Sequence, residues 1–262
     1  MNILITAGGT GEKIDRVRSI TNMSTGRLSR VVAETLAASD ETERILYVCG
    51  ERAVRPNCEK AEILPIGSAA ELAETVAALC RNRRVDAIVH AMAVGDYTVR
   101  AVSTRDALVE SALSRLGAPG APKPAEDVAS ARSLLRDALA SAEAFPRDGK
   151  IPSDVEDLVI FLQRTPKIIS TLRDLAPGAV IVGFKLLDGV TEAQLIDTAH
   201  ALLLRNDCDF VLANDLRKIE GDAHVGHLVG RDGAYVTYND KEEIARGLAE
   251  AIFRGRKQGG KA

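Results

Sequence analysis

Apolar and polar positions follow two recurring modes along the chain. Ile3–Ala7, Arg44–Cys49 and Val85–Ala91 are short, largely apolar runs and read as strands, the last apolar as a strand covered on both faces would be. Between them lie segments with apolar residues at helical spacing. These are Ser24–Ala38, with Leu28, Val31, Val32, Thr35 and Leu36 near one face, and Ala69–Arg81. The β-α-β-α-β order predicts a parallel, doubly wound sheet with right-handed crossovers. The middle is less regular. Gly117–Pro124 is a Pro/Gly run and must be a loop. It separates helical patterns at Asp106–Leu116 and Ala125–Ala144, and the stretch 100–149 reads as an excursion that leaves the sheet and returns.

The main pattern then resumes. Leu158–Leu162, Ala179–Phe184 and Phe210–Ala213 read as strands. Pro166–Leu175 is a helical segment with Pro in its first turn, and Thr191 is a plausible N-cap for a helix to Arg205. Ala223–Gly230 and Ala234–Tyr238 flank Arg231-Asp232-Gly233, a hairpin signal, and Lys241–Phe253 is the last helix. One domain is therefore expected over 1–262, with the excursion at 100–149 and a disordered tail at 255–262.

Composition narrows the function classes. The chain has 262 residues, 46% hydrophobic and 27% charged, which is globular and neither disordered nor coiled-coil. It has a net charge of −3, 3% aromatics and no Trp, a poor basis for binding nucleic acid. No apolar stretch of about 18 residues offers a membrane span. The opening Asn2–Thr6 is a strand start rather than a signal peptide. Cys49, Cys58, Cys80 and Cys208 lack CxxC spacing, which fits a reducing cytoplasm. His224 and His227 do not share a strand face, His90 continues an apolar strand, and no protein metal cluster is visible.

Candidate chemistry begins with Thr6-Ala7-Gly8-Gly9-Thr10-Gly11, which follows a strand. Glycines there let main-chain N–H groups approach an anion. A nicotinamide-binding oxidoreductase is one reading. Against it, Glu12–Arg18 intervenes and the helix starts only after Asn22-Met23-Ser24-Thr25-Gly26. In addition, no Tyr is followed by Lys four residues later. Ser24, Thr25, Gly26 and Arg27 gather hydroxyls, N–H donors and a cation where that helix begins, although Ser24 or Thr25 could be an ordinary cap.

The whole opening, Ile5–Thr10, Ile14-Asp15, Val17-Arg18 and Ile20–Arg27, resembles that of phosphopantothenoylcysteine synthetase (phosphopantothenate–cysteine ligase). Further segments match in order: Ala91–Tyr97, Lys150–Ser153, Thr165–Ile169, Gly183–Leu187 and Ala213–Leu216. The resemblance, to the stand-alone bacterial type, implies a Rossmann-like doubly wound, mostly parallel sheet with an added C-terminal hairpin. It implies a ligase that joins 4′-phosphopantothenate and L-cysteine in coenzyme A biosynthesis through an acyl-cytidylate, releasing pyrophosphate and CMP. CTP would be the co-substrate, with Mg2+ carried on the triphosphate, and the enzyme would be a homodimer.

The resemblance also implies roles for single residues. Lys150 would serve formation of the intermediate and Asn22 its conversion. Gly8, Gly9, Ala91, Met92, Ala93, Asp96, Pro166, Lys167, Ile168, Ile169 and Phe184 would contact the nucleotide. Asn22, Ser24, Thr25, Gly26 and Arg27 would hold a substrate phosphate or carboxylate. Phe184 could equally be core, and Asn214 and Asp215 could be site wall or turn. The chain departs from the pattern at Met92 and Gly95, and Leu202 and Asn206 stand where the fused type carries lysines.

Overall fold

The computed structural model describes residues 1–121, 127–146, 148–220 and 223–259. Its elements run β1 (Asn2–Ala7), β2 (Gly11–Lys13), β3 (Ser19–Thr21), α1 (Arg27–Ala37), β4 (Arg44–Gly50), β5 (Ala61–Ile66) and α2 (Ala69–Asn82). They continue with β6 (Ala87–His90), β7 (Tyr97–Thr104), α3 (Arg105–Leu116), α4 (Val128–Ser141) and β8 (Leu158–Arg164). After a 3-10 turn at Ile168–Thr171 come α5 (Leu172–Leu175), β9 (Val180–Leu187), α6 (Glu192–Arg205), β10 (Phe210–Glu220), β11 (Ala223–Gly230), β12 (Tyr235–Asp240) and α7 (Lys241–Gly259). The chain divides into two compact units: Met1–Gly11 with Thr21–Asp96 and Pro166–Ala262, and Glu12–Ile20 with Tyr97–Thr165.

The first unit is built on one eight-stranded sheet in the order β12-β11-β10-β9-β6-β1-β4-β5. The strands from β10 across to β5 are parallel, and β11 and β12 extend them antiparallel. Ile3–Ile5 of β1 are apolar on both faces because the strand is covered twice. Ile3, Ile5 and Ala7 face one apolar cluster with residues of α1 and α7, while Leu4 faces another with residues of α2, α5 and α6. At roughly 25 cal/mol per Å² of apolar surface, this double burial dominates the folding free energy. Thr191 caps α6 in a full capping box with Gln194, as the sequence predicts.

The main sheet differs from the expected pattern in specific places. The apolar pattern misses β5, because Glu62 and Pro65 interrupt its run; Pro is tolerated there because β5 is an edge strand. The α1 cap is Gly26, in the left-handed conformation at φ 71°, and neither Ser24 nor Thr25. The helix expected at Pro166–Leu175 is a 3-10 turn followed by one α turn. There the hydroxyls of Ser170 and Thr171 donate to the carbonyls of Lys167 and Ile168, at 2.7 and 2.8 Å, in competition with helical pairing. The expected disordered tail is helical through Gly259, and residues 260–262 lie outside the described residues.

The second unit is centred on an antiparallel pair, β7 with β8, beside the hairpin of α3 and α4. Leu158–Leu162 therefore belongs here and not to the main sheet. The expected excursion at 100–149 is wider in fact, taking in Tyr97–Thr165 and Glu12–Ile20. A small core of Val99, Val102 and Ile151, with Ile14, Phe145 and Ile160 packed on it, holds the unit together. Pro122–Pro124 of the Pro/Gly run lie outside the described residues.

His90 yields a pH prediction. Burial in the sheet pushes its pKa down to about 4, against about 6.5 for a free imidazole. The unfolded chain therefore binds more protons between those values, and stability falls as pH drops from about 6.5 to about 4. The contribution of His90 is on the order of 3 kcal/mol over that window. His224 is also pushed down to about 4 by burial. Urea melts across the window should show a shallower pH slope for His90→Gln than for the parent chain, the His224 share remaining.

Candidate functional site

The strand order fixes where a ligand can sit. The chain leaves β1 for β4 and β5 on one side and returns to β6 on the other. The crevice at the carboxyl ends of β1 and β6 is the switch point of the sheet. The loops that leave these two strands are joined to each other. Ala93 N donates to Gly8 O at 2.8 Å, Thr10 N to Ala93 O at 3.3 Å and Gly95 N to Thr10 Oγ1 at 2.9 Å. Thr6 Oγ1 accepts from Met92 N at 3.2 Å and lies 3.0 Å from His90 Nδ1.

The segment before α1 lies on the same loops. Asn22 Nδ2 donates to Val94 O at 3.2 Å, and Thr21 Oγ1 donates to Thr10 O at 2.8 Å. A Cβ on Gly9 would lie 2.6 Å from Asn22 O, and one on Gly8, at φ 78°, 2.6 Å from Ala53 Cβ. The loop after β4 completes the ring, since Val54 N donates to Thr25 O at 3.0 Å and a Cβ on Gly50 would collide with Gly9 O. Glycine is required on both sides of this contact, because the main chains themselves touch.

Around the cradle stand the expected polar groups. Asn22, Thr25 and Arg27 are exposed and Ser24 is half-buried. Gly26, the N-cap of α1, has no side chain to close the helix, and of the first-turn N–H groups that of Arg27 donates to Thr25 Oγ1 at 3.4 Å. Lys167 Nζ lies 2.5 Å from Asp96 Oδ1 in an exposed ion pair, which joins the segment after Pro166 to the loop after β6. Ile168 is buried in the core and Ile169 sits against Gly183 of β9, where a Cβ would come within 2.9 Å of its Cδ1. Met92 is core as well, and Ala91 packs half-buried against the opposite cluster. The glycine loop, Asn22–Arg27, Ala91–Asp96 and the Lys167 segment are thus brought together.

Other expected residues have structural duties. Phe184 is half-buried against the cluster shared with α1 and α7. Asn214 is buried and donates to Val225 O at 3.0 Å, which ties β10 to β11. Asp215 accepts from Gly189 N at 2.9 Å and Arg217 N at 3.1 Å, and these main-chain donors lower its pKa. Leu202 packs inward, and Asn206 at the C-cap of α6 donates to Leu202 O at 2.7 Å, so neither replaces a phosphate-binding lysine. Lys150 belongs to the second unit, where it is exposed between two residues fixed by main-chain bonds to Arg16 and Asp15. Sequence reasoning named Thr6 and Thr10 only as members of the glycine-rich run, with no role of their own, and passed over Gly50. The available signal was positional: each lies at or just past the carboxyl end of a parallel strand.

No helix among the described residues is long and apolar enough to cross a membrane, and these residues contain no group of three His, Cys, Asp or Glu that could hold a metal.

The sequence profile of the DNA/pantothenate metabolism flavoprotein C-terminal domain family matches residues 1–110 and 142–255. The chain belongs to this family. It is similar to a family protein of known structure, the DNA/pantothenate metabolism flavoprotein from Streptococcus pneumoniae, with 33% identity, 97% of this chain and 99% of that chain covered, and a TM-score of 0.77. Among curated proteins it is 30% identical over 256 residues to the coenzyme A biosynthesis bifunctional protein CoaBC of Mycolicibacterium smegmatis, covering 95% of this chain and 51% of the relative. It is 28% identical over 251 residues to the protein of that name from Thermococcus kodakarensis, covering 95% and 50%. The chain thus spans about half the length of these curated relatives.

The close loop contact predicts the effect of a single methyl group. Gly9→Ala should destabilise the first unit by about 1–3 kcal/mol, because neither main chain can retreat. Gly178→Ala, with nothing within 4 Å of the added Cβ, should change stability by no more than about 0.5 kcal/mol. Denaturant melts of both variants check this, and equal losses would contradict it.

Proposed function

We propose that the chain is a phosphopantothenate–cysteine ligase acting in coenzyme A biosynthesis through an acyl-cytidylate. The observation that carries the reading is the cradle at the sheet switch point, in a member of this family. There the glycine loop after β1, the glycine-capped start of α1 and the loop after β6 are held together, with Asn22 bonded across them. The relatives' printed name, a coenzyme A biosynthesis protein, supports the same reading. The oxidoreductase alternative finds no support among these relatives, and α1 begins at Arg27, well past the glycine run.

The chemistry follows from charge. In the first half-reaction a carboxylate oxygen of 4′-phosphopantothenate attacks the α-phosphorus of CTP, and the bond to pyrophosphate breaks. Both reactants are anions, so cations and oriented N–H groups must offset the developing charge. Lys150 is assigned this role, and Lys167 and the first turn of α1 supply further positive potential. Asp96 would exchange its Lys167 partner for a ribose or base donor. In the second half-reaction the cysteine amine attacks the acyl carbon, CMP leaves with the bonding electron pair, and the amine loses a proton. The Asn22 amide can grip the acyl oxygen, as it has both donors and an acceptor. By the resemblance, Mg2+ would be carried on the triphosphate with water as its other ligands. When bound, Mg2+ neutralises charge on the leaving phosphates. CTP is proposed over ATP from the resemblance to bacterial members, and a homodimer from the same source.

Pyrophosphate release with CTP or ATP, 4′-phosphopantothenate and cysteine tests the reading, and release with neither triphosphate would refute it. Lys150→Gln should lower pyrophosphate release on the order of 10²–10³-fold even without cysteine. Asn22→Asp should still release pyrophosphate but accumulate the acyl-nucleotidyl species instead of product. Quenched product analysis of both variants, with and without cysteine, separates these outcomes, and identical defects would show that the two residues share one role. Sedimentation should give a dimer at micromolar concentration; a monomer alone would contradict the expected assembly.

A further inference from the structure

The proposed reaction uses Lys150 but does not explain how an exposed lysine on a loop is held in place. The second unit contains an arrangement that does this. Asp15 is a carboxylate only 1% exposed, and both of its oxygens are occupied. Its Oδ1 accepts from Val17 N at 2.8 Å and Arg18 N at 2.7 Å, an ordinary turn closure. Its Oδ2 has a different set of partners. It accepts from Arg18 Nε at 3.0 Å, from Arg18 Nη2 at 2.5 Å and from Ile151 N at 3.1 Å, the last from a residue 136 positions away. Arg18 Nη2 also donates to Ile151 O at 3.0 Å. The Asp15–Arg18 pair therefore holds both polar groups of the Ile151 main chain. On the other side of Lys150, Gly149 O accepts from Arg16 N at 3.2 Å. The Ile151 side chain, 2% exposed, is buried with Val99 and Val102, and Ile14 packs on the same cluster.

A turn closure alone needs one carboxylate oxygen. The second oxygen, the guanidinium fork and the peptide of Ile151 form a charged network around a buried carboxylate, with the Arg18 side chain 43% exposed, and its outlet is the loop carrying Lys150. Removing the charge weakens more than one bond at once and leaves the buried Ile151 N–H without its charged acceptor. The donors around Asp15 hold its carboxyl well below the usual carboxylate range, the Arg18 side chain being the largest cause, so it is ionised at any working pH.

We infer that Asp15, acting with Arg18, is the positioning residue for Lys150: it fixes the main chain at 149–151 so that the lysine is delivered from a rigid base. This rests on the ligase reading for the role of Lys150, while the clamp itself is independent of that reading. Asp15 touches no reactant, so its effect must pass through the lysine. Misplacement of a catalytic group by about 1 Å typically costs on the order of 10²-fold in rate.

The test uses the whole chain and three variants: Asp15→Asn, Lys150→Gln and the double variant. In Asp15→Asn the amide of Ile151 should exchange at least about tenfold faster, while the β7–β8 ladder keeps its protection and so reports an intact fold. Pyrophosphate release should fall on the order of 10²-fold, with the KM for CTP unchanged within about twofold. The double variant should be no slower than Lys150→Gln alone, because the clamp has nothing left to position. Unchanged exchange at Ile151, an undiminished rate, or single losses that multiply in the double variant would overturn the inference. If Asp15→Asn loses the ladder protection, Arg18→Lys replaces it, since it keeps the charge at Asp15 but gives up the fork and the bond to Ile151 O. If the parent chain releases no pyrophosphate with either triphosphate, the ligase reading has failed. The exchange rate at Ile151 then still decides whether Asp15 holds the loop.

Discussion

The main-chain contact between the loop after β1 and its neighbours is the constraint on which the first unit depends. Three loops from adjacent parallel strands meet with no side chain between them, at Gly8 and Gly9, at Gly50 and at Ala93. Main-chain groups of the loops after β1 and β6 pair with one another, and Val54 N ties the loop after β4 to Thr25 O. The consequences spread outward. Gly26 must approach Gly8 N, which sets where α1 begins and gives that helix an N-cap with no side chain of its own. Thr6 and Thr10 use their hydroxyls to hold the loop after β6, and the Asp96–Lys167 pair attaches the segment after Pro166 to it. A crevice whose walls are main chain is well suited to a polyanion, because main-chain N–H groups bring no side-chain entropy and no competing counter-charge.

In the second unit the corresponding constraint is ionic. A buried carboxylate organises the turn at 15–18 and the loop at 149–151 together, and Ile14 and Ile151 pack in the apolar cluster beside it. Exposed ion pairs contribute little. Here one partner is buried and main-chain groups complete the network, so loss of the charge is felt across the loop.

The doubly wound core was legible in the sequence because buried parallel strands are apolar on both faces and the intervening helices keep a 3.6-residue period. β1, α1, β4, α2 and β6 and the terminal hairpin follow that logic. β5 did not, since an edge strand tolerates Glu62 and Pro65. β8 was assigned to the wrong sheet because periodicity shows that a strand exists but not its partner, and its partner β7 carries Tyr97 and Arg100 on exposed positions. In the candidate site, Asn22–Arg27, the glycine loop and Ala91–Asp96 could be placed from the motif pattern. Gly50 and Ala53 could not, because their contribution is only the absence or smallness of a side chain at a contact far away in sequence. The clamp at Asp15 escaped for a related reason: the spacing of Asp15 and Arg18 predicts a turn, while the bond to Ile151 exists only in three dimensions.

In the proposed reaction the glycine-lined crevice at the switch point receives the nucleoside triphosphate. Amide hydrogen exchange on the whole chain, with and without saturating CTP and Mg2+, is the decisive measurement. CTP should slow exchange at Gly8–Thr10, at the first turn of α1 from Arg27, and across Ala91–Asp96, and leave the outer strands β11 and β12 unchanged. Protection confined to another part of the chain, such as the groove between Arg100 and the α4 residues Arg132 and Arg136, with these loops unaffected, would contradict it.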